Sequence, residues 1–574
     1  MIRALTVIRR KSGSEPYGWP DHVHPVLRQL YAARGALCPD DLGHRLAGLL
    51  PPQSLSGIDR ATELLADAIA CQQSIVIAAD FDCDGATGAA IALRGLRMLG
   101  AQHVDYVVPH RMLHGYGLTP ALVETIRPAP GLIVTVDNGI ASHAGVAAAK
   151  ARGCKVIVTD HHLPGENLPE ADAIVNPNLP DDAFPSKNLC GVGVMFYLLL
   201  ALRARLRERG VFLESNEPDL TSLLDLVALG TVADLVPLDR NNRALVEAGL
   251  RRIRGGRACA GVNALIEVSG CSAKTLSASE LGFSIAPRIN AAGRLEDMSI
   301  GIECLIADDA SRAHELATIL HGINAERRSL QDGMVADAEE MLEGIAFNNA
   351  IGVALFDPGW HAGVVGLVAA RVKERLHRPA IAFAPAGEGD PGALRGSARS
   401  IAGFHIRDAL AEVDAREPGL IVRFGGHAMA AGLSLRACDF DRFARCFDVV
   451  ARARLAPEAL QPLLHSDGEL TPDEFDLDLG RQLRMSGPWG QGFPPPLFDN
   501  LFECAGWRRM GADDRHLRMQ LRDPRDGRIH EAVMFNAESV TPGASAMRVA
   551  YELSVNDWQG RESLRLLVRH MEPA

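Results

Sequence analysis

Aspartate-bearing turns directly follow three short apolar segments of this chain, and this alternation narrows the possible folds more than any other property. The segments are β-branched runs typical of buried strands. They are Ser74–Ala79, Leu132–Val136 and Lys155–Thr159, and a further run of the same type is Val104–Val108. Alanine-rich helical stretches lie between them at Ala86–Leu99 and Ala141–Ala151. Strands that alternate with helices of this length predict right-handed βαβ units and a parallel sheet covered on both faces.

The second half of the chain predicts a long helix, a second α/β region and a β-rich tail. The charged segment 305–345 has few helix breakers and predicts a connecting helix. The second α/β pattern comprises the strand Ile351–Phe356, the helix Gly363–Leu376 and the strand Ala380–Ala384. Short strands separated by turn residues then predict a small β-barrel or sandwich. These strands are His516–Leu521, Ile529–Phe535 and Met547–Val555.

The patterns therefore predict an α/β chain that ends in a β-barrel and is organised in five regions. The predicted boundaries are 1–55 for an N-terminal lead-in, 56–300 for the first α/β domain, 301–345 for the connecting helix, 346–455 for the second α/β domain and 456–574 for the barrel. The tail also carries a series of arginines that can contact phosphates, among them Arg508, Arg515, Arg518 and Arg522. We therefore expect it to be a separable module that binds a nucleic-acid strand.

Composition excludes several classes of protein. Of the 574 residues, 47% are hydrophobic and 23% charged, which is typical of a globular chain. The longest apolar run, Val192–Leu202, is shorter than the ~20 residues that span a bilayer. Eleven scattered Cys without a Cys-x-x-Cys pair argue against disulfides and a structural zinc site. We therefore expect a cytoplasmic protein without membrane contact. Its net charge of −12 disfavours a protein that coats nucleic acid through its overall charge, but allows a local basic groove.

Acids and imidazoles cluster at the ends of the predicted strands. They are Asp80, Asp82 and Asp84 after the first strand, Asp137 after the third, Asp160, His161 and His162 after the fourth, and Asp234 after a later apolar segment. In an open parallel sheet, ligands bind beyond the carboxyl ends of the strands, so these side chains should converge on one crevice. Several carboxylates cannot all be ionised at close range without a compensating cation. Oxygen ligands with imidazole suit Mn²⁺ or Mg²⁺, and their number suits two ions.

Each motif taken alone has an ordinary structural explanation. A single Asp after a strand is commonly a turn residue or a helix N-cap, and adjacent histidines are commonly core or surface residues. The metal-site interpretation depends on the coincidence of three such motifs at equivalent positions.

The motifs also resemble a known family. AADFDCDGATG, VDNGI, TDHH and GTVADLVPL resemble, in this order, the four motifs of the DHH phosphoesterase superfamily. The segments similar to the linker and DHHA1 domain of the RecJ family are RINAAGR (288–294), GWHAGVVGLVAARV (359–372), GSARS (396–400) and FGGHAMAAG (424–432). GPWGQGFPPPLF (487–498) resembles the start of that family's OB-type domain, with Phe493 as the main departure from the usual pattern. The resemblance covers nearly the whole chain from about residue 50.

The resemblance implies a parallel-sheet DHH domain and an α/β DHHA1 domain joined by a long helix, with an OB-like barrel after them. It implies a single-strand-specific 5′→3′ DNA exonuclease that releases 5′-mononucleotides by two-metal catalysis with Mn²⁺ or Mg²⁺, in recombinational and mismatch repair. The implied partners are single-stranded DNA, a single-strand-binding protein and a RecQ-type helicase, and the implied state is a monomer.

The resemblance also implies roles for individual residues. The implied metal ligands are Asp80, Asp82, Asp84, Asp137, His161 and Asp234, of which Asp84 and Asp137 are expected to be shared. For Asp80 and Asp160, orientation of the ligands is an equal alternative to ligation. His162 is expected to face the scissile phosphate, and a phosphate contact is expected of His427 with Gly425 and Gly426. Residues expected to hold the 5′-terminal phosphate are Arg111, Arg288, Ser397 and Arg399. The structural alternative for the arginines is an ion pair with surplus acids.

Three other functions stay open at this stage. A DHH-family pyrophosphatase or oligonucleotide phosphodiesterase shares the metal motifs but generally lacks a region after residue 455. A non-catalytic replication scaffold is expected to have lost motif carboxylates, whereas all are present here. A zinc hydrolase is disfavoured because no H-E-x-x-H spacing occurs.

Overall fold

The chain folds into two compact units. The computed structural model describes residues 5–10, 13–110, 114–212, 216–344, 350–387, 392–511, 514–537, 540–543, 546–558 and 561–574. The first unit contains Arg9–Asn324 and Ser466–Ala574, and the second contains Met1–Ile8 and Ala325–His465. Among the described helices, none has the length and apolar character needed to cross a lipid bilayer.

A parallel sheet forms the centre of the first unit. Strands in the first part of the chain are β1 (Thr6–Arg9), β2 (Ile75–Ala79), β3 (Val104–Val107), β4 (Leu132–Val136), β5 (Lys155–Thr159) and β6 (Ala173–Val175). The sheet has the order β3-β2-β4-β5-β6, and every pair in it is parallel. The four predicted strands are confirmed. Strand β6 has only three residues, too few for a recognisable pattern.

Helices cover both faces of this sheet, as predicted. The helices in this part of the chain are α1 (Pro25–Ala32), α2 (Ile58–Ala70), α3 (Cys83–Met98), α4 (Pro120–Thr125), α5 (His143–Ala151), α6 (Gly191–Glu208), α7 (Leu224–Ala233), α8 (Arg240–Arg254), α9 (Ala260–Ser269), α10 (Ala278–Glu280), α11 (Ala286–Leu295), α12 (Ser299–Ile306) and α13 (Ala310–Gly344). Ile75 and Ile77 of β2 belong to the core that includes α3 and α6. Val76 and Ala78 of the same strand belong to a second core with α4 and α5. Alternate residues of a strand point to opposite faces, so both faces are buried.

The predicted connecting helix is confirmed as α13, which has 35 residues. It contributes to both units, because the division between them falls after Asn324.

The second unit contains a mixed sheet. Its strands and helices are β7 (Val353–Phe356), α14 (Val365–Leu376), β8 (Ala380–Pro385), β9 (Ala393–Arg399), α15 (Ile406–Arg416), β10 (Arg423–Gly426), β11 (Ala430–Arg436) and α16 (Phe440–Arg454). The sheet order is β10-β11-β9-β8-β7, with β7 and β8 parallel and the other pairs antiparallel. The predicted pair of strands and the helix between them are confirmed.

A closed five-stranded barrel ends the chain. The remaining elements are β12 (Leu463–Ser466), α17 (Leu477–Met485), β13 (Phe498–Met510), β14 (His516–Arg522), β15 (Ile529–Met534), β16 (Met547–Trp558) and β17 (Arg561–Pro573). Strand β12 pairs with β1, and the barrel closes in the order β13-β14-β15-β17-β16. The predicted barrel is confirmed. It belongs to the same compact unit as the parallel sheet.

Stacked aromatic rings join the barrel region to the N-terminal helix α1. Tyr31, Trp489 and Phe493 lie with near-parallel planes and ring centroids 5.8, 5.2 and 6.4 Å apart. The guanidinium of Arg243 lies 4.3 Å from the centroid of the Phe493 ring, which is only 1% exposed. The faces of these rings therefore contact other side chains of the protein. The departure from the family pattern at Phe493 is therefore a packing feature that links the last region to the first.

A buried ion pair lies beside these rings. Arg34 and Asp467 are 2.8 Å apart, and their side chains are 1% and 2% exposed. Arg34 also donates to the carbonyl of Pro494 at 2.7 Å. The lead-in from Arg9 onward is thus a structural part of the first unit. Helix α1 contributes the buried ring of Tyr31, and Arg34, just after the helix, contributes a buried charge to the contact with the barrel region.

Candidate metal centre

The predicted acids converge at one edge of the parallel sheet. Strands β2, β4 and β5 are neighbours, and their carboxyl ends lie side by side because all run in the same direction. Asp80, Asp137 and Asp160 each directly follow one of these strands and are 4%, 2% and 1% exposed. Asp234 reaches this edge from the C-terminal end of helix α7. The parallel register therefore produces the crevice that the strand-end motifs predicted.

Potential ligand atoms form three sets, in each of which the atoms lie within 4.8 Å of one another. Among the described residues, these sets are Asp80, Asp82 and Asp137; Asp84, His161 and Asp234; and Asp137, His161 and His162. All six expected ligands belong to them. Asp137 and His161 belong to two sets each, with His161 Nε2 3.1 Å from Asp137 Oδ1. Asp84, which we expected to be shared, belongs to one set.

Asp84 is held by the first turn of a second helix. Its two carboxylate oxygens accept hydrogen bonds from the backbone N–H groups of Gly191 and Val192, at 2.6 and 2.8 Å. These amides open helix α6, where unpaired N–H groups and the helix dipole favour a negative charge. Only glycine fits at 191, because a Cβ there would lie 2.3 Å from Cβ of Asp137. Both acids are thereby packed against the same helix N-terminus.

Asp137 adopts a backbone conformation that is costly for its residue type. Its φ is +63°, in the left-handed region that non-glycine residues seldom occupy. The next residue, Asn138, stabilises the turn, since its side-chain amide donates to the carbonyls of Ala78 and Val136 at 2.9 Å each. The neighbouring strand ends thus hold the carboxylate of Asp137 between two of the ligand sets.

Asp160 orients the two histidines and belongs to none of the ligand sets. Its Oδ1 accepts from the backbone N–H groups of His161 and His162 at 2.7 and 3.0 Å, and contacts His162 Nδ1 at 2.7 Å. Its Oδ2 accepts from the N–H of Ile140 at 2.9 Å. Burial opposes the charged form, but the hydrogen bond and charge of His162 outweigh it, so the pKa of Asp160 lies below its usual value. Of the two roles open for Asp160, the geometry favours orientation.

The acid cluster is electrostatically incomplete without cations. Burial raises the pKa of Asp84 to about 7, and the neighbouring Asp82 adds to the shift. Burial and then the surrounding carboxylates raise the pKa values of Asp137 and Asp234 well above their usual range. Divalent cations would reverse these shifts by compensating the charge. The donor sets consist of carboxylate oxygens and imidazole nitrogens, which fit Mn²⁺ or Mg²⁺.

Burial lowers the pKa of His162, but the hydrogen bond and charge of Asp160 raise it more, to about 9. In the metal-free protein the imidazole of His162 is therefore charged near neutral pH. Tyr116, whose hydroxyl lies 3.3 Å from Nε2 of His162, packs edge-on against the same ring. Sequence reasoning missed Tyr116, because it lies outside the strand-end motifs.

Two asparagines after strand β6 were also missed. Asn176 donates to the carbonyl of His162 at 2.9 Å, and Asn178 donates to that of His161 at 2.6 Å. They fix the backbone that carries both imidazoles. Both asparagines follow β6 directly, at the same edge of the sheet. No local signal pointed to them, because this strand is too short to be recognised from its sequence.

The proposed phosphate-binding residues of the second unit lie on neighbouring strands. In β9, Arg399 donates to Ser397 Oγ at 3.1 Å and to the carbonyl of Ala398 at 2.8 Å. His427 is exposed in the turn between β10 and β11, where its N–H donates to the carbonyl of Ala430 at 2.8 Å. Gly426 has φ +140°, and a Cβ there would lie 2.4 Å from the same carbonyl oxygen, whereas Gly425 faces open space.

The other two residues expected to contact phosphate are Arg288 and Arg111. Arg288, on helix α11 of the first unit, is 5% exposed, and its Nε lies 3.3 Å from Nδ1 of His321. A further guanidinium N–H of Arg288 donates to the carbonyl of Ser284. Arg111 lies outside the described residues.

Comparison with known families matches three segments of the chain. Residues 74–231 match the N-terminal domain of the DHH family, 348–452 the DHHA1 domain and 466–570 the RecJ OB domain. The three matches follow the chain in the order that the motifs predicted.

Relatives match over the whole length. The single-stranded-DNA-specific exonuclease RecJ of Dickeya dadantii is 48% identical over 581 residues, covering 100% of both chains. That of Escherichia coli is 46% identical over 575 residues, covering 99% of both. The crystal structure of RecJ from Thermus thermophilus in complex with Mn²⁺ superposes with a TM-score of 0.79 and 33% identity, covering 96% of this chain and 76% of that one. On the identity over its full length and the order of its three domains, the chain belongs to the RecJ family of DHH proteins.

Proposed function

We propose that this protein is a metal-dependent 5′→3′ exonuclease that hydrolyses single-stranded DNA to 5′-mononucleotides. The observation that carries the proposal is the set of buried carboxylates and imidazoles at the edge of the parallel sheet, in which Asp137 and His161 each belong to two sets of ligand atoms. Family membership supports the choice of DNA, since the relatives are named for this substrate.

The residues of the chain divide the work between metal binding and phosphate contact. Asp80, Asp82 and Asp137 would hold one divalent ion, and a second would lie among Asp84, His161 and Asp234. When bound, such ions activate water as a nucleophile and stabilise the charge on the leaving oxygen. His162 contributes an imidazolium, because Asp160 binds its Nδ1. We assign its Nε2 to the scissile phosphate, where a charged donor stabilises the transition state.

In the second unit, we assign Arg399 and Ser397 to the binding of a terminal phosphate, and His427 to another phosphate contact. Arg399 Nη1 already lies 3.1 Å from Ser397 Oγ, so a guanidinium and a hydroxyl are close enough to donate to one anion. For Arg288, the buried contact with His321 leaves phosphate binding as a proposal drawn from the family alone. We also assign strand binding to the barrel. Among its described residues, Arg508 and Arg522 are exposed and form no ion pair, whereas Arg518 pairs with Glu531.

On the family resemblance we further propose cytoplasmic action as a monomer in recombinational and mismatch repair. The proposed partners are a single-strand-binding protein and a RecQ-type helicase. Sedimentation of the purified protein, alone and with each candidate partner, tests the oligomeric state and the associations.

The central test uses end-labelled single strands and duplexes, incubated with Mn²⁺, Mg²⁺ or a chelator. We expect mononucleotides from the 5′ end of single strands only, and no product with chelator. Asp137→Ala should reduce the rate on the order of 10³-fold or more, because it removes a ligand that two sets share. Near-normal turnover of this variant with Mn²⁺, or release from the 3′ end, would refute the proposal.

A further inference from the structure

Helix α11 packs directly against the backbone of the turn that carries the first metal motif. Gly293 of this helix approaches the carbonyl of Phe81 so closely that a Cβ on the glycine would lie 1.9 Å from the carbonyl oxygen. The same glycine faces the side chain of Met298, 2.8 Å from that Cβ position. Any larger residue at 293 would push the helix away from residues 80–84. The contact therefore requires glycine and sets the distance between the helix and the turn.

One side chain of α11 extends this contact by a hydrogen bond. Asn290 Oδ1 accepts from the backbone N–H of Cys83 at 2.8 Å. Cys83 is the first residue of helix α3, so its N–H is one of the four that no carbonyl of the helix can pair. The next cap interaction comes from Asp82, whose Oδ1 accepts from the N–H of Gly85 at 3.0 Å. Asn290 and Asp82 together satisfy two of the N–H groups that open helix α3.

This hydrogen bond lies between two potential ligands of different metal sets. Asp82 and Asp84 flank Cys83, and they belong to the set with Asp80 and to the set with Asp234, respectively. A rotation of the peptide at 83 would move both carboxylates at once. Asn290 belongs to neither set and is only half-buried, and its side chain acts on this segment through the hydrogen bond to the peptide at Cys83.

We infer that Asn290 is a positioning residue for the metal centre. It holds the peptide at Cys83 so that the carboxylates on either side of it point into their two sets. The inference rests on the proposed function, because it assumes that these sets bind divalent ions. It gives the segment Arg-Ile-Asn-Ala-Ala-Gly-Arg a role in which Asn290 supplies the restraint and Gly293 permits the close approach.

The test measures Mn²⁺ binding without DNA, by the electron paramagnetic resonance signal of the free ion in titrations of the full-length protein. Asn290→Ala should weaken Mn²⁺ binding about 10- to 100-fold, the usual effect of losing a residue that orients metal ligands. Asn290→Asp keeps the acceptor atom and should stay within a few-fold of the parent. The matched control is Asn263→Ala, which removes an exposed asparagine that donates to the carbonyl of Ala258. It should bind Mn²⁺ as the parent does.

Turnover and melting temperature separate positioning from general stability. Asn290→Ala should lower kcat and raise the Mn²⁺ concentration needed for half-maximal rate, with little change in KM for DNA. Its melting temperature without metal should stay near that of the parent, while the rise on adding Mn²⁺ should shrink. If this variant does not fold, Asn290→Ser, whose hydroxyl is too short to span the same distance, replaces it in the same titration.

The inference fails if Asn290→Ala, or its serine replacement, binds Mn²⁺ as tightly as the parent. It also fails if Asn290→Asp is as defective as Asn290→Ala, since the acceptor would then be irrelevant. Failure of the proposed function looks different, because the parent itself would then bind no Mn²⁺ or degrade no DNA.

Discussion

Phe493→Ala should lower the free energy of unfolding of the first unit by about 3–5 kcal/mol, the usual cost of removing a buried phenylalanine ring. The ring is 1% exposed and stacks on Trp489 and Tyr31 at centroid distances of 5.2 and 6.4 Å. It also lies under the guanidinium of Arg243, and loss of this cation–π contact adds about 0.5–2 kcal/mol. We therefore expect a value towards the upper end of the range.

Urea unfolding followed by tryptophan fluorescence measures the effect, because Trp489 is a direct neighbour of the lost ring. The matched control is Phe535→Ala, which removes the same ring from a barrel position that is 50% exposed. The control should change the free energy of unfolding by about 0.5 kcal/mol or less. Equal effects of the two substitutions would refute the inference that Phe493 holds the barrel region to the rest of the unit.

The same contact predicts the result of removing the barrel. A chain that ends at His465 loses Asp467 and Trp489, so both Arg34 and the ring of Tyr31 become exposed to water. The fold then loses the ion pair, the ring contacts and the apolar burial that this segment provides. We expect this shortened chain to be unstable and to lose hydrolysis of short oligonucleotides as well as of long ones. A folded, active fragment would show that the barrel is a separable module after all.

Three further predictions concern the metal centre and the second unit. Asp160→Asn should reduce kcat about 10- to 100-fold with little change in KM, because Asp160 Oδ1 orients the imidazole of His162 through Nδ1. An unchanged pH–rate profile would contradict this role. Arg399→Ala should weaken binding of strands with a 5′ phosphate more than of strands with a 5′ hydroxyl, measured by competition, and equal losses would remove the assignment. In the metal-free protein the pKa of Asp84 is raised to about 7, whereas its value in the unfolded chain is about 3.9. As the pH rises from about 4 to about 7, the need to ionise this buried carboxyl therefore lowers the stability of the fold. The rise in melting temperature on adding Mn²⁺ should therefore be larger at about pH 8 than at about pH 5.5, and a pH-independent rise would show that the acids do not ionise on binding.

Local patterns predicted the sheet and the position of the acids on it. Strand β2 is buried along its whole length, and a strand buried on both faces reads as a continuous apolar run. Parallel strands bring their carboxyl ends to one edge, so placing Asp80 and Asp137 together required only the strand assignments and the direction of the chain. The long helix and the barrel were likewise predicted from periodicity and turn residues.

The roles of single polar residues depended on contacts between distant parts of the chain. The sequence leaves ligation and orientation of the ligands equally open for Asp160, and only its hydrogen bonds to Ile140 and both histidines favour orientation. Asn290 lies 207 positions from the peptide that it restrains, and nothing local to either segment indicates the contact.

The packing of the barrel region against the N-terminal region likewise depends on contacts between distant parts of the chain. Tyr31 and Ser486 are 455 positions apart and share a hydrogen bond of 2.8 Å, within a contact that also buries Arg34 against Asp467. A pattern of apolar residues reports that a side chain is buried but not which segment covers it. The partner of a buried group is set by the geometry of the whole fold and not by the neighbours of that group in sequence. For this reason, only the tertiary structure shows that Tyr31 is buried against the barrel region and that Asn290 restrains the peptide at Cys83.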